Sequence, residues 1–154
     1  KKYSIKKIIR ITSDCPFADP KLIDNMVETH VKNNYDYTSN INPPTFPDGL
    51  DIEIFNFETL EDAHYNAKLE FEREHVTPFI RNNKNLTQYC LRYEEDLSNI
   101  RWTLDTADDL IVIKEIINNF KSVDNFSWIE ILDFYKKNKN LFKTNMHLKR
   151  NYNN

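Results

Sequence analysis

Apolar positions along this chain switch back and forth between two spacings. Ile5–Thr12 is β-branched and apolar, as a buried strand would be. Leu22, Ile23, Met26, Val27 and Val31 then recur at helical spacing. Asp19 is placed to cap that helix and Pro20 to occupy its first turn. Tyr35–Ser39 reads as a short strand, and Ile52–Phe57 alternates with period two, as a half-exposed strand should. Glu58–Lys68 reads as a helix and Phe71–Arg81 as another, which Pro78 must kink or end. Leu86–Tyr93 and Ile100–Asp105 read as strands. Thr106 begins the next helix as its cap, with Asp109 in the box position, and Leu110, Ile113, Ile116, Ile117 and Phe120 form its apolar face. A last helix spans Trp128–Lys137 behind Ser127.

Strands alternating with helices predict an α/β fold of three layers. The run Asn42–Gly49 contains three prolines, which remove backbone donors and exclude regular structure. With the period-two strand that follows, it predicts a mixed sheet with a protruding arm. After Asn138 the chain turns basic and Asn-rich and is expected to fray. The organisation is therefore one domain over residues 1–137 and a tail over 138–154.

Composition narrows the chemistry. The 154 residues suit a single domain. A net charge of −3 leaves no overall basic footprint for nucleic acid. Cys15 and Cys90 form no C-x-x-C pair, which argues against a zinc site or a disulfide framework. No apolar stretch reaches the length of a membrane span and no signal-peptide pattern is visible, so a cytoplasmic protein is expected. A single glycine, Gly49, excludes a glycine-rich phosphate loop within these residues.

The most suggestive chemistry is a pair of aspartates, each expected just beyond an apolar strand. Asp14 follows Ile8–Thr12, and Asp105 follows Arg101–Leu104. In open α/β sheets, ligands sit beyond the carboxyl ends of the strands. Two carboxylates delivered there from different strands suit a shared Mg²⁺, which typically takes one or two carboxylates together with phosphate oxygens. Each aspartate alone has an ordinary explanation. Asp14 precedes Pro16 as loop punctuation, and Asp105 stands at a helix N-terminus.

Five blocks taken in order change that balance. RITSDCPFADPKLID (from Arg10), YDYTSN (from Tyr35), FPDGLDIEIFNFETLEDA (from Phe46), EREHVTPFI (from Glu72) and RWTLDTADDLIVIKEI (from Arg101) together resemble cytidylyltransferases of the spore-coat polysaccharide type. These are relatives of the 3-deoxy-manno-octulosonate and acylneuraminate cytidylyltransferases. The resemblance covers about Ile5 to Phe120. It implies a Rossmann-like, glycosyltransferase-A-like nucleotidyltransferase fold and synthesis of CMP-sugars from CTP and a sugar acid. It also implies Mg²⁺ held by Asp14 and Asp105. The family's N-terminal Gly/Arg/Lys-rich segment, which holds the CTP triphosphate, is not among these residues. The chain is accordingly expected to be an N-terminally incomplete copy, weakly active or inactive by itself. The alternative is a non-catalytic remnant serving as a sugar- or nucleotide-binding or dimerisation module.

The remaining candidates fall in the same blocks. Phe46–Glu53 reads either as a Pro-Asp-Gly turn feeding a strand or as a sugar-side site. In the second reading Gly49 lets backbone approach a ligand, and Asp48, Asp51 and Glu53 offer carboxylates, the last two on one side of the strand. Glu72 and His75, three apart on an expected helix, would share a face near the substrate. Arg10 and Arg101 would either meet phosphates or pair with acids. The strand Asp51–Phe57 and its following helix resemble an arm that relatives use to dimerise, so a homo-oligomer is expected.

Overall fold

The computed structural model describes residues 3–120 and 126–150. Its centre is a four-stranded mixed sheet: β1 (Lys7–Arg10), β2 (Tyr37–Ser39), β3 (Glu53–Asn56) and β4 (Gln88–Cys90), in the order β1-β3-β2-β4. β3 runs antiparallel to both β1 and β2, and β2 runs parallel to β4. The helices are α1 (Pro20–Lys32), α2 (Phe57–Asn66), α3 (Glu70–Glu74), α4 (Pro78–Asn82), α5 (Ala107–Asn119) and α6 (Trp128–Lys137).

Side-chain alternation sorts the core into two compartments. Ile8 faces Phe55 and Tyr37 faces Phe55 across the ladder, and this side packs on Ala63 of α2 and Ile80 of α4. Ile54, one residue out of step, joins Met26 of α1 in the larger core with Val112, Ile113 and Ile116 of α5 and Trp128 and Ile131 of α6. Helices therefore cover both faces, which is the expected three-layer arrangement.

The local capping signals hold. Asp19 accepts from the Leu22 N–H at 2.9 Å, and its other oxygen accepts from the Trp128 N–H at 2.9 Å, so one carboxylate ties α1 to the start of α6. Thr106 with Asp109 and Ser127 with Glu130 form reciprocal capping boxes. His30 is fully buried against Thr38 Oγ1 (2.9 Å) and Asn56 Oδ1 (3.3 Å), and burial pushes its pKa below the ordinary histidine value. It is a neutral structural group that joins α1 to the sheet.

Four expectations need correction. First, the strand around Ile52–Phe57 is neither half-exposed nor an arm. It is the interior strand β3, buried from Glu53 to Phe55. Its polar alternate position misled because Glu53 is satisfied inside, by Arg10 and by the Tyr37 hydroxyl, each at 2.5 Å. Second, Arg101–Leu104 is no strand of the sheet. Only Arg101 makes a ladder contact, an isolated parallel bridge to Asp48. Third, Phe71–Arg81 splits into α3 and α4 at Val76, whose φ of 67° is left-handed, and Pro78 then opens α4. Fourth, the tail does not fray as far as Arg150. Phe142, in a 3₁₀ turn over Leu141–Thr144, is buried, and Asn145 donates to Arg101 O (3.2 Å) and Asp109 Oδ1 (2.9 Å). A basic, Asn-rich composition concealed these anchors. Residues 151–154 lie outside the described residues.

Candidate active site

A polar cavity of about 210 Å³ opens beside the end of β1. Arg10, Thr12 and Asp14 line it from β1 and the loop that follows, Asp51 and Glu53 from the start of β3, and His75, Thr77 and Arg81 from the α3–α4 junction. Ile41 and Arg150 complete the lining. Five residues anticipated from sequence thus converge: Arg10, Asp14, Asp51, Glu53 and His75. The strand period explains why Asp51 and Glu53 share a side.

Most charges in this cavity are already paired. Arg10 Nη1 donates to Glu53 Oε2 at 2.5 Å, so of its two readings the acid-pairing one holds. Arg150 pairs with Asp51, with its Nε 3.6 Å from Asp48 Oδ1. Burial pushes the Asp51 carboxyl above its usual range, with Arg150 opposing the shift. Asp48 is raised to about 6, again chiefly by burial. Asp14 makes no ion pair among the described residues. Its Oδ2 accepts from Thr103 Oγ1 at a loose 3.4 Å.

Asp105 lies beside Asp14 although it does not line the cavity. The Leu104 N–H donates to the Asp14 carbonyl at 2.9 Å, and Thr103 Oγ1 donates to the same oxygen at 3.1 Å. The segment carrying Asp105 is thereby fastened to the segment carrying Asp14. Asp105 Oδ2 accepts from Arg101 Nη2 at 2.8 Å, and its side chain remains 38% exposed.

Arg101 anchors this arrangement from below. It is buried and bonded to Asp48 (3.0 Å), Asp105 (2.8 Å) and both oxygens of Asp109 (2.9 Å each). A guanidinium that is buried and spends four of its five N–H donors on three carboxylates serves structure rather than a phosphate. The sequence signal missed was Asp109, read only as a capping residue. Burial pushes its carboxyl up, but bonds from Arg101, Asn145 and the Asp105 N–H outweigh that and hold it far below the usual range.

Gly49 and Glu72 also differ from expectation. Gly49 has φ +101°, and a Cβ there would sit 2.6 Å from Thr103 N and Trp102 C. The close approach it permits is to this chain's own backbone, not to a ligand. Glu72 accepts from the Lys68 and Leu69 N–H groups at 3.2 Å and lines a separate, mainly apolar cavity with Leu60, Ala63 and Val76. His75 is the C-cap of α3 and turns into the polar cavity, so the two do not share a face. Thr12, Ile41, Thr77, Arg81 and Arg150 line the site without having been anticipated.

The donor set suits a hard cation. Among the described residues no group of three or more His, Cys, Asp or Glu side chains could hold a metal by itself. Two carboxylates on segments fastened to each other, leaving the remaining positions to phosphate and water, fit Mg²⁺ better than zinc. Cys15, beside Asp14, is buried and its thiol is pushed up to about 11, so it is a protonated, inert neighbour.

The fold and the cavity define an α/β protein of nucleotidyltransferase architecture. The Cytidylyltransferase family profile matches residues 1–148, and the chain belongs to that family. A structure of a cytidylyltransferase from Leptospira borgpetersenii serovar Hardjo-bovis superposes with a TM-score of 0.88 at 32% identity, over 98% of this chain and 63% of that one. The uncharacterized protein MJ1063 of Methanocaldococcus jannaschii is 39% identical over 150 residues, 96% of this chain and 60% of its own length. The spore coat polysaccharide biosynthesis protein SpsF of Bacillus subtilis is 33% identical over 137 residues, 85% of this chain and 55% of its own length. The chain thus spans little more than half the length of these two relatives. No helix among the described residues is long and apolar enough to cross a membrane.

Proposed function

We propose that this chain is the acceptor- and metal-binding portion of a sugar cytidylyltransferase, which joins CMP from CTP to a sugar acid for surface polysaccharide synthesis. The observation that carries the reading is the fastening of the Leu104–Asp105 segment to Asp14 at the edge of a polar cavity. Membership of the family and the likeness to SpsF support it.

In the reaction, an acceptor oxygen attacks the α-phosphate of CTP, a P–O bond forms, pyrophosphate leaves, and the acceptor proton passes to solvent or a nearby base. Asp14 and Asp105 would hold Mg²⁺, whose charge offsets that of the phosphates. Asp14 is suited to this because it makes no ion pair among the described residues. The Arg10–Glu53 and Arg150–Asp51 pairs hold the cavity walls in fixed positions, which preorganises the acceptor side. No protein nucleophile is needed, consistent with the protonated Cys15.

The test is pyrophosphate release with CTP, Mg²⁺ and a panel of acidic sugars, using the longest reading frame that contains residues 1–154. Asp14→Asn is expected to reduce kcat/KM by ~10²–10³-fold, by analogy with the loss of one group that stabilises developing charge, while leaving the fold intact. No pyrophosphate release with any nucleotide, or an Asp14→Asn variant as active as the parent, would reject the reading.

A further inference from the structure

The backbone crosses one wall of the polar cavity in a strained turn. Val76 has φ 67°, a left-handed value that is a genuine outlier for a β-branched residue. The Thr77 N–H donates across it to His75 O at 2.7 Å, which closes a γ-turn of the rarer, strained form. The Val76 side chain, 36% exposed, does little to hold it there. The flanking segments do. The His75 N–H ends α3 on Phe71 O at 3.1 Å, and beyond the turn Pro78 and Ile80 are buried and the Arg81 N–H donates to Thr77 O at 2.9 Å. Such outliers persist where the surroundings over-determine them, and they gather at ligand sites.

The turn sets which way its neighbours point. His75 and Thr77 line the polar cavity, whereas Val76 between them lines the separate, mainly apolar one. Thr77 is 2% exposed, yet its hydroxyl makes no hydrogen bond among the described residues. It stands at the N-cap of α4, where a threonine ordinarily accepts from the first turn, and caps nothing. Among the described residues, Trp102 Nε1 is the one side-chain polar atom both sealed from solvent and unpartnered. The Thr77 oxygen therefore keeps an opening, and the cavity that it lines is what it opens on.

We propose that the strained turn aims the Thr77 hydroxyl at a sugar hydroxyl of the bound substrates, which makes Thr77 a specificity residue of this site. The proposal rests on the cytidylyltransferase reading and names a contact within it. A neutral hydroxyl both donates and accepts, which matches another hydroxyl. The surrounding charge agrees, since the three arginines that line the cavity are matched by the three carboxylates of Asp14, Asp51 and Glu53. A site that hydrogen-bonds a substrate hydroxyl rejects an analogue lacking it, because its own polar group is then left buried and unpaired. Two sources can supply that hydroxyl, the acceptor and the ribose of CTP, and the test separates them.

The test measures pyrophosphate release by the longest reading frame that contains residues 1–154, with KM taken separately for CTP and for the acidic sugar that the wild type uses. Thr77→Val keeps the shape and removes the hydroxyl. It should raise one of the two KM values by roughly 5- to 100-fold and leave the other unchanged, and Thr77→Ser should restore the wild-type value. The substrate whose KM rises carries the bonded hydroxyl. Monodeoxy forms of that substrate (2′- and 3′-deoxy-CTP in the nucleotide case) then locate it. One of them should lose the same factor with the wild type and lose nothing further with Thr77→Val. Val76→Gly should keep both KM values and melt at or above the wild type, because glycine adopts this turn without strain. Wild-type KM values in Thr77→Val, or an equal rise in both, overturn the proposal. So does a deoxy series in which every analogue loses further with the variant, or a Val76→Gly protein that melts below the wild type. A wild type that releases no pyrophosphate with any nucleotide and sugar rejects the cytidylyltransferase reading and the proposal with it, whereas an active wild type with an unaltered Thr77→Val rejects the proposal alone.

Discussion

Asp109→Ala is expected to destabilise this protein by about 3–5 kcal/mol, the usual cost of removing one partner from a buried ion pair. Against a total stability of roughly 5–15 kcal/mol this is a large fraction. The carboxylate is completely buried, and six hydrogen bonds converge on it. Their donors are Arg101 (twice), the Asp105 N–H, the Thr106 N–H and hydroxyl, and Asn145. Truncation leaves the Arg101 guanidinium buried with one carboxylate fewer, breaks the reciprocal half of the α5 capping box and removes one of the two hydrogen bonds that Asn145 donates. The companion variant Arg101→Met/Asp109→Leu removes both charges and should recover a substantial part of the loss, because Asp48 keeps Arg150 as a partner. The sign of the pH dependence follows from the depressed Asp109 carboxyl. Its contribution is full above the ordinary aspartate pKa of about 4 and is lost as pH falls below it. Asp109→Ala should therefore flatten the stability profile on the acid side. Urea titration of the three proteins measures all of this. A cost below about 1 kcal/mol, within the range of an ordinary surface change, would contradict the anchoring role.

The second large effect is expected at Gly49. Alanine there must adopt φ +101° and place its Cβ 2.6–2.7 Å from three backbone atoms of Trp102 and Thr103. Neither side can yield cheaply, since the obstacle is main chain and Trp102 is fully buried. Left-handed strain of about 1–3 kcal/mol combines with overpacking of similar size. A loss of about 2–6 kcal/mol follows, or a fall in Tm of roughly 4–24 °C for a chain of this length. The effect should also reach the site, because Thr103 and Leu104 hold the Asp14 carbonyl. Differential scanning calorimetry with a parallel CTP titration checks both. A Gly49→Ala protein that melts with the parent would show that the approach of Gly49 to Trp102 and Thr103 is looser than described.

Which features were legible in the sequence depended on the range of the interaction. Asp19, Thr106 and Ser127 announced their helices because a cap acts within three residues. The alternation of strands and helices announced the layers. Asp51 and Glu53 could be placed on one side because the period of a strand relates them. What remained hidden depends on partners far along the chain. Glu53 looked solvent-facing because Arg10 and Tyr37, 43 and 16 residues away, satisfy it inside. Gly49 looked like a ligand contact because nothing local marks Trp102 and Thr103 as its obstacle. Arg150 looked like part of a loose basic tail, although it closes the cavity against Asp51, 99 residues earlier. Arg81 carried no signal at all.

The central claim is that Asp14 and Asp105 form a metal-dependent site for the phosphates of CTP. It is tested most directly by titrating isotope-labelled protein with Mn²⁺ as a paramagnetic stand-in for Mg²⁺, with and without CTP. The account predicts amide signals broadened around Thr12–Cys15 and Leu104–Thr106, more strongly with CTP present than with Mn²⁺ alone, and no such localised broadening in Asp14→Asn. Broadening centred elsewhere, or the same pattern in Asp14→Asn, would contradict it.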